Sequence, residues 1–318
     1  MRRHTRCATV RGKCSGRCNM RIVITGGTGL IGTPLVKLLA RDGHEVIVLS
    51  RNPKAKAVPA GARLLRWDAR TPDGWGHLID GDTAIINLAG ENTASWFWTD
   101  AHKQRIRDSR LAASAAVAAA IANAPQPPRA LLQASAVGYY GDTGDDMVVE
   151  QSPPGDDWRA RLCVEWEAAT AGLAVRRCLL RIGIVLDRGG GAFPPMLLGA
   201  RLLGRQIGSG RQWVPWVHNH DVARAVRFLL RSERASGPYN LVAPQPLTNA
   251  ALMRHIGEGV GTPSLFSMPE RALRAAVGEM ADAVLVSQRV LPQRLTDLGY
   301  SFLFPTAEDA LRHLLHCQ

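Results

Sequence analysis

The sequence predicts an α/β fold: a doubly wound parallel sheet over residues 20–240, with a smaller C-terminal substrate-side region over 241–318. Three observations predict it. Short apolar, β-branched runs alternate with helical patterns, as in a sheet whose strands are joined by crossover helices. The first run leads directly into three glycines spaced G-x-x-G-x-x-G. The 318 residues are 46% hydrophobic and 21% charged, an ordinary globular balance that excludes wholesale disorder.

The first strand is Arg21-Ile22-Val23-Ile24-Thr25, a run suited to burial on both faces. Gly26, Gly29 and Gly32 follow it. The first permits the tight turn out of the strand, the second lets backbone approach a pyrophosphate, and the third lets a helix pack closely on the sheet. Leu30, Ile31, Leu35, Leu38 and Leu39 recur at helical spacing as far as Gly43, and Val46-Ile47-Val48-Leu49 is the next strand. A β–α–β unit with glycines at this turn marks a dinucleotide site, its phosphates on the helix N-terminus. Gly26, Gly29, Leu30, Ile31 and Gly32 are therefore the expected cradle.

The end of the second strand selects the cofactor. A free ribose 2′-hydroxyl asks for an Asp or Glu there. The strand instead ends Leu49-Ser50-Arg51-Asn52, and Glu45 lies at its other end. Ser50 and Arg51 suit a 2′-phosphate, since guanidinium pairs with phosphate through two hydrogen bonds. The expected cofactor is NADP(H) rather than NAD(H).

The remaining elements continue the alternation. Ala62–Arg66 leads into Trp67-Asp68, placing Asp68 at a strand end on the adenine side. Ala84–Leu88 ends in Ala89-Gly90-Glu91, so that Leu88, Ala89 and Gly90 bring slim backbone to the cofactor. Trp96 and Trp98 precede a long helix over 99–123; they read either as a cap on the nicotinamide side or as core. Lys103, Arg107 and Arg110 share one face of that helix, most simply a solvated one. Ala130–Ala134 is a fifth strand that stops at Ser135, and Val175–Ile182 is a sixth. The glycine-rich stretch 187–216 encloses an apolar helix, Phe193–Leu203, and reads as a lid.

Half of the formal net charge of +12 comes from the first 19 residues, which hold Arg2, Arg3, Arg6, Arg11, Lys13 and Arg17 and no acid. The body is only mildly basic, so no nucleic-acid partner is implied. Residues 1–19 lack the apolar core of a secretory signal. They are expected to be disordered, with Met20 as the natural start, although organelle transit peptides share their arginine-rich composition. No run approaches the ~20 apolar residues of a membrane-spanning helix, so no membrane partner is expected. The six cysteines include no C-x-x-C pair, which suits a reducing cytoplasm. Cys7, Cys14, Cys18 and His4 offer ligands to zinc but match no standard spacing.

On Gly26 to Gly32, Trp67-Asp68, Asn87-Leu88-Ala89-Gly90 and Ser135-Ala136-Val137-Gly138-Tyr139-Tyr140-Gly141, the chain resembles the extended short-chain dehydrogenase/reductases, a Rossmann-fold superfamily. Glu91, Lys103 to Arg110, Trp166-Glu167, Gly208 to Trp213, Trp216-Val217-His218 and Asp221 narrow the resemblance to its atypical epimerase-like oxidoreductases. Gly278-Glu279-Met280, Ser287-Gln288-Arg289-Val290, Pro292, Leu295 and Gly299-Tyr300 resemble that branch's small C-terminal domain. The resemblance implies a pocket lined by Glu91, Lys103, Arg110 and His218, with Lys103 and Arg110 available to an anionic substrate group.

It also implies a catalytic pair, Tyr-x-x-x-Lys, that this chain lacks. Four residues after Tyr139, Tyr140, Tyr239 and Tyr300 stand Thr143, Gly144, Ala243 and Phe304. The helix that would carry the pair reads Trp158-Arg159-Ala160-Arg161-Leu162-Cys163-Val164-Glu165-Trp166-Glu167. Ser135 with Tyr139 or Tyr140 is the expected catalytic group, with no lysine to lower a phenol pKa from its ordinary value of ~10. Two readings stand: an NADP(H)-dependent oxidoreductase or epimerase acting on a small polar, nucleotide-linked molecule, and a non-catalytic NADP(H)-binding redox sensor or partner-binding protein.

Overall fold

Seven parallel strands form the central sheet of the computed structural model, which describes residues 19–55, 57–93, 98–203, 206–262 and 267–316. They are β1 (Arg21–Thr25), β2 (Glu45–Ser50), β3 (Ala62–Arg66), β4 (Thr83–Asn87), β5 (Ala130–Ala136), β6 (Arg177–Ile182) and β7 (Gly237–Leu241). Their spatial order is β7-β6-β5-β4-β1-β2-β3. Chain order reverses between β1 and β4, which opens a crevice at the carboxyl ends of these two strands, the place where open α/β sheets bind ligands.

Strand periodicity divides the core between the two faces. Ile22 and Ile24 point to one side, under α1 (Gly32–Arg41) and α5 (Asn219–Arg231), where Leu35, Leu39, Val222 and Val226 are fully buried. Val23, Ile47 and Ile85 point to the other, where Val117 of α2 (Asp100–Ala122) and Trp75 cover them. Thr99 caps α2 by accepting from the His102 N–H. The seventh strand escapes sequence reading because it opens Gly237-Pro238. Proline is confined to sheet edges, and β7 is an edge strand.

A second core lies beyond β7. Leu252 and Ile256 of α6 (Asn249–Gly259) pack with Phe193 and Ala200 of α4 (Phe193–Leu203) and Leu311 and Leu314 of α10 (Ala307–His316). The helix anticipated as a lid is therefore anchored: Phe193 and Ala200 have no exposed surface. Leu273 and Val277 of α7 (Glu270–Val277) bury against Ala281 of α8 (Met280–Leu285). His4, Cys7, Cys14, Cys18, Trp96 and Cys317 lie outside the described residues, within which no helix is long and apolar enough to cross a membrane.

Asp221, 1% exposed on the first turn of α5, ties the C-terminal segment down. Its carboxylate accepts from the Leu303 N–H at 2.7 Å, the Phe304 N–H at 2.8 Å and the Tyr300 hydroxyl at 3.0 Å. Asp221→Asn keeps the shape but loses the charge assistance and sets an amide donor against these donors. We expect about 2 kcal/mol of lost stability, read by urea unfolding. A loss below about 0.5 kcal/mol would show that the anchor is redundant.

Candidate active site

The glycines at the β1–α1 turn have separate duties. Gly26 has φ +66°, and a Cβ there would lie 2.6 Å from the Leu88 carbonyl oxygen. A Cβ on Gly32 would lie 2.4 Å from the Gly26 oxygen. Both are held to glycine by the protein's own backbone. Gly29 is exposed, and its nearest neighbour in the same test is the Gly26 oxygen at 3.2 Å. Backbone is thus bare at the mouth of the crevice, facing the first turn of α1, whose N–H groups form an anion site. The Thr25 hydroxyl accepts from the Leu88 and Ala89 N–H groups, which fixes the opposite wall. Leu30 is held by the Asn219 amide, which donates to its carbonyl at 2.9 Å, and half-buried Ile31 precedes the helix. This cradle fits a dinucleotide phosphate.

At the end of β2, the half-buried Ser50 hydroxyl accepts from the Asn52 N–H, and exposed Arg51 has no side-chain ion pair or hydrogen bond among the described residues. Arg66 stands directly opposite Ser50 in the β2–β3 pairing and is likewise exposed, with no side-chain partner among the described residues. Sequence reading passed over it; its signal is a cation closing the strand next to the 2′-selecting one. Asp68 accepts from the Arg70 and Thr71 N–H groups, and these hydrogen bonds hold its carboxyl below the ordinary range.

Behind β5 lies a buried polar chain. The Ser135 hydroxyl donates to Glu167 at 2.7 Å. Arg181 grips the same carboxylate with two hydrogen bonds of 2.9 and 3.0 Å. A third guanidinium nitrogen donates to the Tyr140 hydroxyl at 3.0 Å, which in turn donates to Asn240 at 2.7 Å. Ser135, Tyr140 and Arg181 are each 2–3% exposed. Burial opposes the Arg181 charge, but Glu167 and Tyr140 outweigh it and hold the guanidinium above its usual range. Burial pushes the Tyr140 phenol up to about 12 and the adjacent Cys163 thiol up to about 12. Tyr140 thus has both hydrogen-bonding roles filled inside the protein and gives up its proton reluctantly. These bonds set Tyr140 apart from Tyr139 within the expected catalytic pair. Tyr139 differs: Arg181 lies over its ring, 3.4 Å from ring centre to guanidinium, while the hydroxyl of this half-buried residue has no partner among the described residues.

The expected pocket residues are not brought together as a set. Arg110 is folded beneath the loop that follows β4. It donates to the Glu91 carbonyl at 3.2 Å, stacks on Trp166 and abuts Gly90. Desolvation lowers its pKa, and its charge supports that loop rather than projecting into solvent. Lys103 pairs with Glu279, between α7 and α8, and with Asp100. His218 is 2% exposed and caps α5 by accepting from the His220 N–H. Its ring meets Phe304 and His313, so it belongs to the seam with α10 rather than to a substrate pocket. Burial and the neighbouring histidines push it down to about 3. Trp98 stands edge-on to Trp158 at the start of α3 (Trp158–Ala168).

Comparison with known proteins places this geometry. The family described as "NAD dependent epimerase/dehydratase family" matches residues 22–242, and a domain of unknown function, DUF1731, matches residues 268–314. The epimerase family protein SDR39U1 of Bos taurus is 38% identical over 93% of this chain and all of its own length. The human SDR39U1 crystal structure, described as with NADPH, superposes with TM-score 0.85 at 37% identity, covering 94% of this chain and 100% of that one. A nucleoside-diphosphate sugar epimerase from Corynebacterium glutamicum superposes with TM-score 0.74 at 32% identity, over 93% of this chain and 58% of that longer one. The chain belongs to the NAD-dependent epimerase/dehydratase family, within its SDR39U1-type epimerase branch.

Proposed function

We propose that this chain binds NADP(H) on the Gly26–Gly32 cradle and acts as an oxidoreductase or epimerase on a small polar, nucleotide-linked substrate. The carrying observation is the cradle itself, where Gly26 and Gly32 close on the protein while Gly29 leaves its backbone open. The related human protein described with NADPH supports the choice of cofactor. Bound nicotinamide supplies the hydride donor or acceptor. The chain's residues hold it: Arg51, with Arg66 beside Ser50, meets the 2′-phosphate, while Leu88, Ala89 and Gly90 wall the crevice. Asp68 orders the loop on the adenine side. For proton transfer we favour Tyr139, whose hydroxyl is uncommitted, over Tyr140. Ser135 and Glu167 position the strand end from which Tyr139 follows.

Arg51→Ala should weaken NADPH binding by ~1–3 kcal/mol, the loss of a charge-assisted contact, and leave NADH nearly untouched. Fluorescence titration with both cofactors reads this, and equal losses would show that Arg51 does not meet the 2′-phosphate. Turnover is tested with carbonyl compounds and nucleotide-linked sugars, comparing Tyr139→Phe with Tyr140→Phe. The proposal expects Tyr139→Phe to lower kcat while NADPH affinity holds. Full turnover in Tyr139→Phe would place the proton donor elsewhere.

Two observations favour a second reading, a non-catalytic NADP(H)-binding sensor or partner-binding protein. The Ser135 hydroxyl is committed to Glu167, and α3 carries neither tyrosine nor lysine. Tight NADPH binding with no turnover across the panel would favour it.

A further inference from the structure

We propose that His218, His220 and His313 form a binding site for one zinc ion where α5 meets α10. One ring nitrogen from each lies within 4.8 Å of the other two. His218 Nε2 and His313 Nδ1 are 3.1 Å apart. Two nitrogens bound to one tetrahedral zinc at ~2.0–2.1 Å lie roughly 3.3 Å from each other, so this pair already has the spacing of shared ligands. The His220 ring is 5.0 Å from His218 and 5.1 Å from His313, centre to centre. It is exposed on the first turn of α5, where a change of rotamer closes the remaining gap and solvent supplies a fourth ligand.

The surroundings suit a tethered rather than a diffuse ion. Phe304 stacks 4.0 Å from His218 and closes one side with an apolar ring. Asp187 and Asp221 lie near His220 and favour a cation, while Lys37 and the N-terminal end of α5 oppose it. Binding through Nε2 requires His218 to carry its proton on Nδ1. It then gives up two hydrogen bonds, the cap on the His220 N–H and the one between its own Nε2 and His313 Nδ1, in exchange for three metal–nitrogen bonds. Imidazole nitrogen suits zinc among the divalent metals, and zinc accepts three histidines with an open fourth position. Such an ion would link α10 to the residue before Asn219, whose amide holds the Leu30 carbonyl in the cradle.

The test uses the full chain, freed of metal by chelator and titrated with zinc by calorimetry, with melting followed in parallel. The expected result is one zinc per chain and a raised melting temperature. His220→Ala changes an exposed side chain, and should weaken zinc by more than the ~10–100-fold typical of outer-shell changes. His313→Gln should do the same. Cobalt(II) absorption separates this site from the cysteines of the opening segment, because thiolate ligands add an intense near-ultraviolet band and imidazoles do not. A Cys7→Ser, Cys14→Ser, Cys18→Ser variant should keep the site. The proposal fails if the wild type takes up no zinc at 100-micromolar-scale concentrations, if His220→Ala and His313→Gln both bind like wild type, or if the thiolate band accounts for all bound cobalt.

Discussion

Glu167→Leu is expected to destabilise the fold by about 3–5 kcal/mol, the range found when one member of a buried ion pair is removed. The penalty comes from what stays behind. Arg181 is 3% exposed, and its remaining partners, the Tyr140 hydroxyl and the Glu150 carbonyl, are neutral. The Ser135 hydroxyl loses its acceptor at the same time. For a chain of this size that corresponds to roughly 5–7 °C in melting temperature. Arg181→Met should cost a similar amount, since it strands the carboxylate instead. The double variant Glu167→Leu, Arg181→Met should recover much of the loss, because an apolar pair of similar volume needs no compensation. Chemical denaturation of the three variants gives the coupling directly. Single losses below about 1 kcal/mol that simply add in the double variant would mean that water or other groups already satisfy both charges.

This pair also shows where a sequence stops being legible. The first six strands could be read because each is a local run of β-branched and aliphatic residues, and the glycine turn because its spacing is local too. The long helix was bounded by Thr99, whose hydroxyl caps it. Nothing local announces a bond between Ser135 and Glu167, 32 residues apart, or between Tyr140 and Asn240, 100 apart. One clue was available: Arg181 interrupts the apolar strand Cys178–Ile182, and a cation in a buried strand demands a buried partner. The sequence leaves Tyr139 and Tyr140 as alternatives for the same reason. Both adjacent residues touch Arg181, but Tyr140 does so through a hydroxyl that also donates to Asn240, whereas Tyr139 offers its ring face. The resemblance of its segment puts His218 in a pocket, whereas in the structure its ring bonds to the start of α5 and to His313, 95 residues later.

Gly29→Val should abolish NADPH binding while the protein stays folded, and that separation makes it the sharpest test of the cradle. A branched side chain at Gly29 projects from the open backbone of the turn into the space a pyrophosphate needs. Among the described residues its Cβ meets only the Gly26 oxygen at 3.2 Å, a contact that a shift of a few tenths of an ångström relieves. We expect a melting temperature within about 3 °C of wild type and an NADPH affinity lower by more than ~100-fold, or ~2.7 kcal/mol. Gly32→Ala is the contrasting control. Its Cβ would lie 2.4 Å from the Gly26 oxygen and 2.5 Å from the Gly27 Cα, so α1 must retreat from the turn and the fold itself weakens. The two variants thus divide one motif into a residue kept small for the ligand and a residue kept small for the protein. Fluorescence titration and thermal melting of both separate these duties. Unchanged NADPH affinity in a folded Gly29→Val protein would mean that no pyrophosphate lies on this turn.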